Sequence, residues 1–253
     1  TLSLHDALPI STQRFLSIDC NQPMDKRCYA LQYEHFSYSR MEYRKQGKVE
    51  VVTVDHYGSV YSYDAQRNGT ENDLDVRLGD SGYNWVPKRL VRAGGEFYAV
   101  GTFRRIARRI GLNSWAAPEN IPYSLDWVKT GEGMFNEGFY DMSAFAADDM
   151  YAVGGFGDVW HFDGKSWKQI SFPFYDLLQT VCCAGDGQVY ISGKRGSIWV
   201  GRGNRWSQLV ESDFTLPFRD TLWFGDRLWC GNDYGLWSLQ DGKLVPLSDS
   251  ESD

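Results

Sequence analysis

Residues 150–170 read MYAVGGFGDVWHFDGKSWKQI, and residues 189–209 read VYISGKRGSIWVGRGNRWSQL. The two segments align without a gap, 39 residues apart, and share two tryptophans, three glycines, a tyrosine and a glutamine. A unit of this length that recurs in one chain is typical of a repeat architecture, in which each unit packs against its neighbours.

Further copies of the unit lie on both sides of this pair. LWCGNDYGLW (228–237) keeps Trp229 and Gly235 on the same 39-residue step. Upstream, FYAVGTF (97–103) nearly repeats MYAVGGF (150–156), and VVTVDHYGSVYSYD (51–64) is the weakest copy. The chain therefore contains about five recognisable copies.

Each copy reads as four short β-strands joined by tight turns. In the copy around Trp160, the strands are predicted at 140–146, 150–155, 158–162 and 166–170. Asp163-Gly164 between apolar runs is a strong hairpin signal, and β-branched and aromatic residues fill the strands. The sequence therefore predicts an all-β protein built from four-stranded antiparallel blades, because radial stacking buries both faces of each sheet.

The pattern resembles that of Asp-box, kelch and photosystem-assembly-factor propellers over residues 46–247. Phe162-Asp163-Gly164-Lys165-Ser166-Trp167 approaches the Asp-box motif, but it is one residue short and lacks the leading serine. The resemblance implies a β-propeller, either a five-bladed ring or an incomplete ring of six or seven blades. The predicted blades span residues 46–80, 85–120, 139–172, 176–214 and 219–247.

The two ends of the chain are interpreted separately from the propeller, which is predicted as a single domain over residues 11–247. Residues 1–10, TLSLHDALPI, match one translated frame of a common sequencing adapter, so we expect them to be artefactual and the natural chain to be truncated upstream. Residues 248–253 form an acidic tail. An insertion between Trp115 and Phe139 is either a functional loop or a neutral one.

Composition excludes several classes of protein. Lys and Arg number 26 against 33 Asp and Glu, a net charge of −7, which disfavours binding to nucleic acid. No apolar run is long enough to span a membrane. The five cysteines do not form a disulfide pattern, so we expect free thiols in the cytoplasm. No spacing of Cys and His indicates a metal site, and no cofactor motif is present.

Two groups of residues are candidates for binding. Arg104, Arg105, Arg108 and Arg109 form the densest charge cluster, which either binds an acidic partner or pairs with acids of the protein itself. Propeller topology places the turns between second and third strands and the connections between blades at one end of the ring. That end contributes the second group, which is rich in aromatic and basic residues: Tyr57, Phe103, Arg104, Phe156, Phe174, Tyr175, Lys194, Arg195, Phe218, Arg219 and Tyr234.

Three functions remain open from the sequence. Aromatic and arginine side chains are typical of protein-recognition hot spots, and no catalytic motif appears, which favours a non-enzymatic scaffold that binds another protein. The aromatic residues are equally consistent with packing at the mouth of the channel. A glycan-binding or sialidase-like propeller would need three arginines that converge. An incomplete ring would also permit self-association, because it exposes strand edges.

Overall fold

The computed structural model describes residues 12–18, 23–26, 28–34, 40–46, 48–64, 66–116, 121–125, 138–212 and 214–247. The adapter-like segment, the acidic tail and most of the insertion lie outside these residues. Over the described residues the protein is all-β, and its only helical elements are three short 3-10 turns: Met24–Lys26, Gly79–Ser81 and Lys194–Gly196. The search for a helix long and apolar enough to cross a membrane found none in the described part of the chain.

Five four-stranded sheets follow one another along the chain. Sheet 1 contains β3 (Arg40–Gln46), β4 (Lys48–Val54), β5 (Val60–Asp64) and β6 (Asn68–Thr70). Sheet 2 contains β7 (Pro87–Ala93), β8 (Glu96–Gly101), β9 (Arg105–Gly111) and β10 (Ser114–Ala116). Sheet 3 contains β11 (Asp141–Ala146), β12 (Asp149–Gly154), β13 (Asp158–Phe162) and β14 (Trp167–Ile170). Sheet 4 contains β15 (Leu178–Cys183), β16 (Val189–Gly193), β17 (Ile198–Arg202) and β18 (Arg205–Val210). Sheet 5 contains β19 (Asp220–Phe224), β20 (Arg227–Asn232), β21 (Gly235–Gln240) and β22 (Lys243–Pro246).

Every sheet is an antiparallel meander in which each strand pairs with the next strand along the chain. A separate hairpin precedes sheet 1 and consists of β1 (Thr12–Ile18) and β2 (Cys28–Glu34), which pair over their full lengths. The architecture is therefore the predicted one, with five four-stranded antiparallel sheets.

The first strand of sheet 1 lies upstream of the predicted blade boundary. The sequence placed the start of the first blade at residue 46, whereas β3 begins at Arg40. The reason is its composition. RMEYRKQ carries charged residues at most positions, so the alternation of apolar residues (Met41 and Tyr43) with polar residues is hard to recognise. In sheet 3, by contrast, the predicted third strand and β13 have the same bounds.

The described residues form a hydrophobic core in four layers, one between each pair of consecutive sheets. Val52 and Phe97 pack together between sheets 1 and 2, and Ile191 lies between sheets 3 and 4. The repeated tryptophans belong to these layers, since Trp160 packs between sheets 2 and 3 and Trp199 between sheets 3 and 4. The repeat therefore preserves tryptophans that pack between neighbouring sheets.

The first strands of consecutive sheets lie side by side and line the central axis. The turn that follows each second strand then meets the connection to the next sheet. At Gly157, with φ +71°, an added Cβ would lie 2.4 Å from the carbonyl oxygen of Phe174, so glycine is needed both for conformation and for space. This close approach packs the connection 171–177 tightly against the turn of sheet 3.

Candidate functional site

One end of the sheet array, here called the upper end, is formed by the turns between second and third strands and by the connections between sheets. The contacts between sheets 3 and 4 show the arrangement. The amide of Leu178 donates a hydrogen bond to the carbonyl of Gly155 (3.0 Å), and the amide of Lys194 donates one to the carbonyl of Leu177 (2.8 Å). Backbone hydrogen bonds thus fix the turns and the connection as one rigid surface.

Exposed tyrosines are distributed over the upper end. Tyr57, Tyr175 and Tyr234 were predicted there, and their exposed fractions are 65%, 80% and 66%. Tyr83 and Tyr123 are also exposed and lie in the connections that follow sheets 1 and 2. These five residues, called the upper tyrosines below, give the end a polar aromatic surface.

The phenylalanines predicted at this end lie mostly beneath the surface. Phe103 and Phe218 are buried and belong to the core layers. Phe174 packs against Trp199, with ring centroids 5.2 Å apart, whereas Phe156 stacks on the exposed ring of Tyr175, also at 5.2 Å. Phe103, Phe174 and Phe218 therefore support the upper end, and Phe156 and Tyr175 form part of its accessible surface.

An open cleft of about 510 Å³ lies beside this aromatic pair. Phe156, Phe172, Phe174 and Tyr175 supply apolar walls, and Gln169 supplies an amide. The cleft therefore presents polar groups together with aromatic rings, which suits an amphipathic side chain of a partner.

The arginine cluster is divided among different surroundings. Arg109 is buried, and its guanidinium donates to both carboxylate oxygens of Glu71 at 2.7 Å and to Glu50 at 3.2 Å. Arg104 pairs through Nε with Asp158 at 2.7 Å and lies over the ring of Trp160. These two arginines hold neighbouring sheets together.

The other two arginines of the cluster are more accessible. Arg108 is exposed, and Arg105 is half-buried with its guanidinium 5.9 Å from the ring centre of Tyr123. The structure therefore does not bring all four guanidinium groups to one surface.

Three further basic residues were predicted at the upper end. Lys194 and Arg195 are exposed at the turn between β16 and β17. Arg219 is exposed and forms a two-point ion pair with Asp233, at 2.6 and 2.7 Å. Its hydrogen bonds raise the pKa of Arg219 and lower the pKa of Asp233. Arg104, Arg109 and Arg219 thus each pair with a different acidic residue of the protein itself.

The axis of the array holds a second charged group. Arg89 on β7 pairs with Asp220 on β19 at 2.5 Å and lies 3.3 Å from Asp141 on β11. Asp141 is buried and accepts a hydrogen bond from the amide of Val181 (3.0 Å). Burial raises the pKa of Asp141 to about 6, although the charge of Arg89 opposes this shift. Among the described residues, no group of three or more His, Cys, Asp and Glu side chains could hold a metal ion.

We expect Asp141→Asn to remove a pH dependence of stability. Since the pKa in the folded state, about 6, lies above the ordinary value of 3.8, this carboxyl stabilises the fold fully below pH 3.8 and loses that contribution as the pH rises through 6. This pKa shift corresponds to a change of roughly 3 kcal/mol in the free energy of unfolding between the two ends of that pH range. Urea unfolding from pH 4 to pH 8 should show the wild type losing stability relative to Asp141→Asn, and parallel curves would contradict the expectation.

Comparison with known proteins gives one relative by sequence and several by structure. No family model matches the chain. Immune protein Tsi7 of Pseudomonas aeruginosa is 31% identical over 150 residues, which cover 59% of this chain and 47% of Tsi7. The match therefore spans about half the length of that relative.

Among solved structures, Sqt1 of Saccharomyces cerevisiae has a TM-score of 0.59 at 10% identity, covering 93% of this chain and 66% of Sqt1. The designed protein Ika8 has a TM-score of 0.55 at 12% identity, covering 81% of this chain and 59% of Ika8. The five antiparallel sheets match these propeller structures, so the predicted β-propeller fold is confirmed.

Proposed function

We propose that this chain is an immunity-type β-propeller, which binds a cognate protein toxin through its upper end and thereby blocks it. The observation that carries the proposal is the set of exposed upper tyrosines on a rigid surface. Tyrosine supplies a large contact area at low cost in conformational entropy, and it is enriched in the hot spots of protein interfaces. A mostly exposed aromatic set on one end is therefore suited to a protein partner.

Two further features support a partner of this kind. The sequence similarity to immune protein Tsi7, which extends over 150 residues, supports a protective role. Lys194 and Arg195 are exposed in a turn whose backbone contacts the connection 171–177, and they favour a toxin surface that presents acidic side chains.

Growth protection tests the proposal. A bacterial host that produces a candidate toxin taken from the neighbourhood of this gene should stop growing, and co-production of this chain should restore growth. The purified chain and toxin should form a complex of defined stoichiometry in size-exclusion chromatography with light scattering. An unprotected host together with two separately eluting proteins would contradict the proposed function.

A further inference from the structure

The last sheet leaves one face uncovered. Leu222 and Phe224 on β19 are 62% and 70% exposed, and with Trp229, Leu236 and Leu247 they line an open groove of about 420 Å³. Val245 on β22 is exposed on the same face. This set of six residues is called the open face below.

The open face corresponds to a surface that is covered in the preceding sheets. Leu222 lies opposite Trp229 in sheet 5, as Cys182 lies opposite Tyr190 in sheet 4. Cys182 and Tyr190 are buried in the layer between sheets 4 and 5, and Tyr151, at the same repeat position in sheet 3, is buried in the layer between sheets 3 and 4. The open face is thus the side through which each sheet packs against the next sheet.

The curvature of the array limits what fits against this face. Arg89 on sheet 2 reaches Asp220 on sheet 5 across the axis, so the first strands surround a narrow channel. A narrow channel belongs to a small ring, since the diameter of a propeller grows with the number of blades. On the face of sheet 1 that is directed away from sheet 2, Met41 and Tyr43 of the first strand are exposed, whereas Thr53 and Tyr61 of the next two strands are buried. Exposed apolar side chains therefore lie on the open face of sheet 5 and on the first strand of sheet 1.

We propose that the hairpin formed by β1 and β2 docks on the open face and closes the ring as a two-stranded sixth blade. In a closed ring, the element that precedes sheet 1 is also the neighbour of sheet 5. Residues 35–39 join the hairpin to sheet 1, and five residues span up to roughly 17 Å, which exceeds the spacing of about 10 Å between packed sheets. An isolated two-stranded hairpin is only marginally stable in water, so it gains most from such a surface.

Hydrogen exchange on the full chain tests the docking. In the wild type, the amides of Thr12–Ile18 and Cys28–Glu34 should be protected. Leu222→Asp should make them exchange at least tenfold faster, because a charge on the open face opposes burial. Leu112→Asp is the matched control, since Leu112 is an exposed leucine in the turn between β9 and β10. It should leave the hairpin protected.

Two further measurements keep the test decisive. Protection of β16 and β20 must be the same in both variants, and Val245→Asp provides a second change on the open face that should have the same direction of effect. Unprotected hairpin amides in the wild type would overturn the proposal. So would a dimer in light scattering that Leu222→Asp dissociates without changing hairpin exchange, because the open face would then bind a second copy of the chain.

Discussion

Replacing Arg109 with alanine should lower the free energy of unfolding by about 3–5 kcal/mol at pH 7, the cost of removing one partner of a buried ion pair. Glu71 would be left with a fully buried carboxylate and without its two strongest hydrogen bonds. Burial alone raises the pKa of Glu71, but hydrogen bonds from Arg109, Ser62 and the amide of Asn113 hold it below the ordinary value. Urea unfolding measures the change directly.

The same ion pair gives the variant a distinct pH response. Without Arg109, burial should raise the pKa of Glu71, so the variant loses further stability as the pH rises through that pKa. The loss should therefore be smaller at pH 4 than at pH 7. Arg108→Ala is the control, because Arg108 is exposed and its removal should change stability by less than about 0.5 kcal/mol. Equal effects of the two substitutions would contradict the structural role of Arg109.

Replacing Tyr57, Tyr175 and Tyr234 together with serine should raise the Kd for the proposed toxin partner at least ~100-fold, as expected when a cluster of interface hot spots is lost. All three side chains are mostly exposed, so the free energy of unfolding should stay within about 0.5 kcal/mol per site. Calorimetric titration of the toxin measures the affinity, and urea unfolding shows that the variant is folded.

The control for the tyrosine variant uses exposed apolar residues elsewhere on the molecule. Ile110 and Leu112 are both exposed at the end of β9 and in the turn that follows. Their replacement by serine should change the Kd by less than about twofold, because energetically neutral positions surround or lie outside a hot spot. If the control variant bound the toxin as weakly as the tyrosine variant, the loss of affinity would not be specific to the upper end.

The repeat spacing was enough to predict the fold because local and tertiary signals coincide in it. Trp160 and Trp199 recur on one step since each occupies the equivalent position in successive layers between sheets, and Gly157 and Gly196 recur since each turn adopts a positive φ. Sheet 1 was harder to delimit, because β3 is rich in charged residues and its alternation is weak.

The binding surface was only partly predictable from the sequence. Tyr57, Tyr175 and Tyr234 lie at or beside repeat positions, so topology placed them at the upper end. Tyr83 and Tyr123 were missed, because they lie in connections that do not repeat. The sequence signal that could have located them is an aromatic residue in each connection that follows the fourth strand of a sheet.

The fate of the arginine cluster could not be predicted from residue order. Arg109 pairs with Glu71, 38 residues away, and Arg104 with Asp158, 54 residues away. Such pairings depend on which faces of neighbouring sheets meet, and strand alternation alone gives only the side on which each arginine lies. The sequence therefore located the charges but not their partners.

Hydrogen exchange of the chain with and without the proposed toxin partner most directly tests whether the upper end is the binding face. Residues 55–59, 155–157, 171–177, 194–196 and 233–234 should become more protected in the complex. The turns at the opposite end, including residues 94–95, 147–148 and 225–226, should exchange at unchanged rates. Protection confined to the opposite-end turns, with the upper end unchanged, would contradict the proposed binding face.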